Sequence, residues 1–79
     1  MKYTKSQIKD TVCQLVDMMG NYRGYAMSFD VNADSVYPFD VHFYRRSDGN
    51  YLGYHFSKQF SLRLNMEGLK EWMADNNLV

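Results

Sequence analysis

Ile8, Val12, Leu15, Val16 and Met19 recur at helical spacing behind the tetrad Thr4-Lys5-Ser6-Gln7. That tetrad fits a capping box, with the Thr4 hydroxyl accepting from the Gln7 amide and the Gln7 side chain reaching back to Thr4. The pattern predicts a helix over about residues 5–19, with Gly20 placed as a left-handed stop. From Gly24 the period falls to two. Tyr25, Met27, Phe29 and Val31 alternate with Ala26, Ser28 and Asp30, as a half-buried strand does.

Tyr37, Phe39, Val41 and Phe43 repeat the alternation against Pro38, Asp40, His42 and Tyr44, so residues 32–36 form the turn between two strands. Pro38 suits a strand end or edge. Leu52, Tyr54 and Phe56 make a third strand. Phe60, Leu62 and Leu64 suggest a fourth or an extended lead into a helix, with Asn65 as its cap and Met66, Leu69, Trp72 and Met73 as its apolar stripe. The order α-β-β-β-(β)-α predicts an α+β fold over residues 1–79. It is a two-layer domain, with an antiparallel meander of three to four strands and the N- and C-terminal helices packed on one face.

Asp48-Gly49 between alternating runs signals a two-residue type I′ hairpin, whose central residues both need positive φ. This turn would set Arg46 opposite Tyr51, Arg45 opposite Leu52, Tyr44 opposite Gly53, Phe43 opposite Tyr54, and His42 opposite His55. Val41, Phe43, Tyr54 and Phe56 then share the buried side, in agreement with the apolar alternation. The other side displays His42, Tyr44, Arg46, Tyr51 and His55. Aromatic residues also favour strands for their own sake, so a plain solvated sheet surface is the competing reading. Tyrosine and arginine are nonetheless the side chains that concentrate binding energy at protein interfaces.

Size and composition narrow the alternatives. A chain of 79 residues buries only ~60% of its unfolded surface and forms one domain. Aromatic residues, 16% of the chain, supply the core area that its length denies, so order is expected without a cofactor. One cysteine, Cys13, excludes an internal disulfide and a thiolate zinc site; inside the first helix it is expected to be a small buried residue. The start MKYTKSQIKD carries no apolar run, and no later stretch reaches the ~20 apolar residues needed to span a bilayer. A soluble, cytoplasmic protein is expected.

Nine basic and nine acidic residues cancel, which removes the long-range field that draws proteins to nucleic acid or anionic membrane. A mildly basic centre with Arg45, Arg46, Lys58 and Arg63 precedes an acidic end with Glu67, Glu71 and Asp75. His42 and His55, with Asp30 or Asp40 nearby, are the only candidate metal ligands, and two imidazoles are too few to predict a metal. Asp30 and Asp40 read as solvating charges without an apolar pocket to make either a catalytic acid. No phosphate-cradling glycine loop is present, and no nucleophile stands beside a base.

The order of a helix, three strands and a helix is similar to that of the double-stranded RNA-binding domain. The final helix, MEGLKEWMADNN, lacks the lysine-rich start through which that family grips phosphates, so none of the family's residues is carried over. The sequence therefore predicts a small non-enzymatic protein-binding module. Its size and lack of chemistry suit a phage or mobile-element inhibitor of a host complex, anti-CRISPR proteins included. Tyr44, Arg46, Tyr51, His55 and His42 are its expected contacts, with Arg45 and Arg23 at the rim. RNA or DNA on the same sheet face is the alternative, and a homodimer through a strand edge or the aromatic face is a third expectation.

Overall fold

The computed structural model describes residues 2–79 as an antiparallel sheet flanked in sequence by two helices. Helix α1 spans Lys5–Met18, strands β1 to β4 span Asn21–Tyr22, Tyr25–Val31, Phe39–Arg45 and Asn50–His55, and helix α2 spans Leu62–Asp75. The sheet order is β1-β2-β3-β4, an uninterrupted meander. No described helix is long and apolar enough to cross a membrane.

Both halves of the capping box are present: the Thr4 hydroxyl accepts from the Gln7 amide at 3.1 Å, and the Gln7 side chain accepts from the Thr4 amide at 2.9 Å. Satisfying two otherwise orphaned amides fixes where α1 begins. Its end differs from expectation. Gly20 does not take up a left-handed conformation, and the cap is Met19, whose amide bonds back to Leu15 and Val16. Cys13 is exposed, because Thr11 and Leu15 face the core and position 13 turns outward between them.

The fourth strand lies at the opposite side of the sheet from residues 60–64. Asn21–Tyr22 folds against Tyr25–Ala26 through a two-residue turn in which Arg23 has φ 53° and Gly24 φ 88°. Positive φ at both central residues is what a type I′ turn requires. The Asn21 side chain accepts from the Gly24 amide at 2.8 Å and holds the turn closed.

Residues 60–64 instead run into α2. Ser61 caps the helix, its hydroxyl accepting from the Leu64 amide at 3.1 Å. Asn65, expected as the cap, is buried within the helix for a different reason. Its amide accepts from the Ser57 amide at 3.0 Å and donates to the carbonyls of Ser57 at 2.9 Å and Ser61 at 3.1 Å. Tyr3 meets the same loop, its hydroxyl 2.8 Å from the Ser57 carbonyl and 2.7 Å from that of Phe60. Burial pushes the Tyr3 phenol up, partly opposed by its hydrogen bond with Asn65.

The core lies between the sheet and the helices. Tyr25 and Met27 from β2, Phe39, Val41 and Phe43 from β3, and Phe56 just beyond β4 meet Leu15, Leu62, Met66, Leu69, Met73 and Leu78. Trp72 packs against Phe43 and Tyr54 with ring centroids 5.6 and 5.5 Å away, so aromatic contacts join α2 to the two central-to-edge strands. This leaves the other face of the sheet without a covering layer.

Candidate binding face

The geometry of this open face depends on the β3–β4 hairpin. Arg45 pairs with Asn50, so the loop contains four residues, Arg46-Ser47-Asp48-Gly49, in place of the expected two. Only Gly49 has positive φ, at 70°. Asp48 does its work through its carboxylate, which accepts from the Asn50 amide at 3.0 Å and from Arg45 at 3.1 Å through Nε and 2.5 Å through Nη2. These bonds hold the Asp48 carboxyl at about 2, below the usual carboxylate range, and raise Arg45 further. A carboxylate engaged in this way closes the loop without a left-handed aspartate.

The expected pairs consequently move. Tyr44 stands opposite Tyr51, Phe43 opposite Leu52, His42 opposite Gly53, Val41 opposite Tyr54, and Asp40 opposite His55. The displacement is two residues, so the side chains of the paired strands keep the face that the apolar alternation assigned to them. Tyr37, expected on the buried side, precedes β3 and instead rests against His55 on the open face, while Pro38 is buried. What changes is which residues are neighbours. His42 and His55 do not face each other, and among the described residues no group of three or more metal-binding side chains is gathered.

Four of the expected contact residues do share the open face. Tyr44 and Tyr51 are directly paired and are 49% and 56% exposed. Tyr51 leans along β4 over Gly53, with its ring 3.7 Å from where a Cβ on that glycine would stand, and its hydroxyl meets His42 Nδ1. His42 Nε2 lies 2.9 Å from Asp30 on β2. His42 thus bridges the carboxylate of β2 and the tyrosine of β4 through its two ring nitrogens. Both ring nitrogens are then committed within the sheet. His55 Nδ1 bonds Asp40, and the Tyr37 ring rests against the imidazole at a centroid distance of 5.0 Å.

Arg45 and Arg46 do not join this group. Arg46 lies in the exposed loop. Arg45 shares the helix-side face with Tyr25, its guanidinium carbon 4.6 Å from the centre of that ring, while Asp48 takes its donors. Arg23 is confined to the β1–β2 turn. Asp30 and Asp40, read from the sequence as solvating charges, sit opposite each other in the β2–β3 ladder, each bonded to one histidine. Their alternation with the apolar residues of β2 and β3 was a signal for the shared face; their histidine partners depended on the register.

The open face is thus a tyrosine pair beside two histidine–aspartate pairs, with Tyr37 at its far end. Neither the cleft between α1 and α2 nor the smaller one around Tyr3, Ile8 and Lys58 is lined by these residues. Comparison with known proteins adds no match: no protein family, curated protein or solved structure is significantly similar to this chain.

Proposed function

We propose that this protein acts by binding another protein through the open face of its sheet, without catalysing a reaction. The observation that carries the reading is the Tyr44–Tyr51 pair, two large half-exposed rings side by side on the face that the helices leave uncovered. Tyrosine offers broad contact area and a directional hydroxyl with few rotamers to freeze, which suits it to the centre of an interface. The sheet beneath holds the rings in place, and the bond from Tyr51 to His42 limits one of them further.

The polar groups on this face favour a protein over nucleic acid. Asp30 and Asp40 place two carboxylates on this face, which would repel a phosphate backbone laid across it, and Arg45 is turned to the opposite side and neutralised by Asp48. A reader of unpaired bases needs stacking rings with cations beside them. Here the rings have carboxylates beside them. The size of the chain suits a role as an inhibitor that occludes a host complex, the part a phage or mobile-element protein would play.

The test is capture from a nuclease-treated host extract, comparing wild type with Tyr44→Ala/Tyr51→Ala and with Val16→Ser, a change on the exposed side of α1. A protein retained by wild type and Val16→Ser but lost by the tyrosine variant is the expected result. Each tyrosine at the centre of the interface should contribute ~2 kcal/mol, about thirtyfold in affinity. Undiminished capture by the tyrosine variant would remove this face from consideration. If nuclease alone abolished capture, nucleic acid would replace protein as the partner class.

A further inference from the structure

We propose that two copies of this chain join through their β4 edges, antiparallel about a two-fold axis at Gly53, so that two four-stranded sheets become one of eight strands. The inference concerns the edge of the sheet and does not rest on the binding role of its open face.

The two edges of the sheet are unequal. At one side β1 has only two residues, too few to template a partner, whereas β4 presents six, Asn50–His55. Solitary edges are normally guarded by lysine, proline, inward charges or bulges. The β4 sequence NYLGYH contains no lysine, arginine, aspartate, glutamate or proline. The chain as a whole carries no net charge at neutral pH, so two copies meet without long-range repulsion.

The phase of the hydrogen bonds restricts how they can meet. The Phe56 amide donates to the Phe39 carbonyl at 2.9 Å, in continuation of the β3–β4 register. Hydrogen-bonded and non-bonded pairs alternate along an antiparallel ladder, so Leu52 and Tyr54 direct their main-chain groups toward β3. Tyr51, Gly53 and His55 direct theirs outward. A second β4 must therefore match these three residues with their own counterparts.

In the centred alignment Gly53 pairs with the partner's Gly53, and Tyr51 pairs with the partner's His55. Every outward amide and carbonyl of the three residues then finds a counterpart. Leu52 falls opposite the partner's Tyr54 on the helix side, and the Tyr51–histidine contacts lie on the open side. The inside–outside pattern is consequently preserved across the junction. The axis passes between two glycines, which bring no side chain of their own to the closest approach, while each Tyr51 ring lies over its own Gly53 on the open side. Both helical layers lie on one side of the joined sheet, and the two open faces become a continuous surface.

Sedimentation equilibrium tests the proposal directly. Wild type should sediment as a dimer at about 100 μM, a concentration at which even a modest interface is populated. Gly53→Lys sets like charges opposite each other at the axis and should sediment as a monomer. Its added Cβ meets Tyr51 at an ordinary 3.7 Å, so its far-UV circular dichroism should match that of wild type.

A second arm uses cysteine in a Cys13→Ser background. Directly opposed hydrogen-bonded residues have Cα atoms about 5.5 Å apart, within reach of a disulfide. Gly53→Cys treated with diamide, which takes up the two hydrogens released by the thiols, should give a covalent dimer; Tyr44→Cys, on the same face but away from the edge, should not. A monomeric wild type at this concentration overturns the proposal. A dimer indifferent to Gly53→Lys overturns it as well, by placing the contact elsewhere.

Discussion

Asp48 shows how one side chain decides a local structure. Asp-Gly is the strongest short signal for a two-residue hairpin, and Gly49 does take positive φ, yet Asp48 serves as an acceptor for Arg45 and Asn50. Its carboxyl is held at about 2 in the fold, against an ordinary value of about 3.9 in an unfolded chain. A depressed carboxyl stabilises the fold above the unfolded value and loses that contribution as pH falls through the folded one. Stability attributable to Asp48 should therefore be complete above about pH 4 and decline toward pH 2. Urea unfolding of wild type and Asp48→Asn across this range checks it: the difference between the two should shrink as the solution is acidified. Because the group lies at the surface, added salt should reduce the same difference.

At the scale of elements, α2 meets the sheet through a glycine. A Cβ on Gly68 would lie 2.5 Å from the Tyr54 hydroxyl, and the Tyr54 ring is held between Trp72 and Phe56. Burial raises the Tyr54 phenol, with Glu71 adding to the effect, so this hydroxyl sits in a confined place. Alanine normally stabilises a helix interior by about 0.5–1 kcal/mol over glycine, whereas overpacking costs roughly 1–3 kcal/mol. Gly68→Ala should thus destabilise the wild-type protein and stabilise the Tyr54→Phe variant. Thermal or urea unfolding of the four members of this cycle reads the reversal of sign directly.

The elements were legible in the sequence to different degrees. The capping box at Thr4 and the period-two runs in β2, β3 and β4 are local patterns with local causes, and they specify those elements. Asn65 looked like a helix cap because asparagine commonly serves as one; its actual partners, Ser57 and Tyr3, are brought to it by the tertiary fold. The two-residue turn lies at Arg23-Gly24, where nothing but one glycine announces it. On the open face, membership followed from alternation, so Tyr44, Tyr51, His42 and His55 were found together. Their pairing required the loop length, which the Arg45–Asp48 contact sets.

For the whole molecule, the consequential tie is the one between its ends. Tyr3, the Ser57–Phe60 segment and the buried Asn65 form a half-buried polar cluster that links the start of the chain to α2. Asn65→Leu would leave the Ser57 amide and several carbonyls without their partner. Loss of such bonds at a buried site costs roughly 1–3 kcal/mol, and denaturant titration followed by Trp72 fluorescence should register a loss of about 2 kcal/mol. The open sheet face lies away from this cluster, so partner capture by folded Asn65→Leu should be retained.

The loop at residues 46–49 has a wider implication. Two alignments of β4 against β3 satisfy the same division between dry and wet sides, because they differ by an even step. The alternation of apolar and polar positions by itself permits either. The bidentate grip of Arg45 on Asp48 selects between them, and with it the arrangement of tyrosines and histidines presented to a partner. The recognition surface is therefore indexed from the loop: the four residues that join β3 to β4 decide which tyrosines and histidines stand side by side, while alternation decides only which face they share.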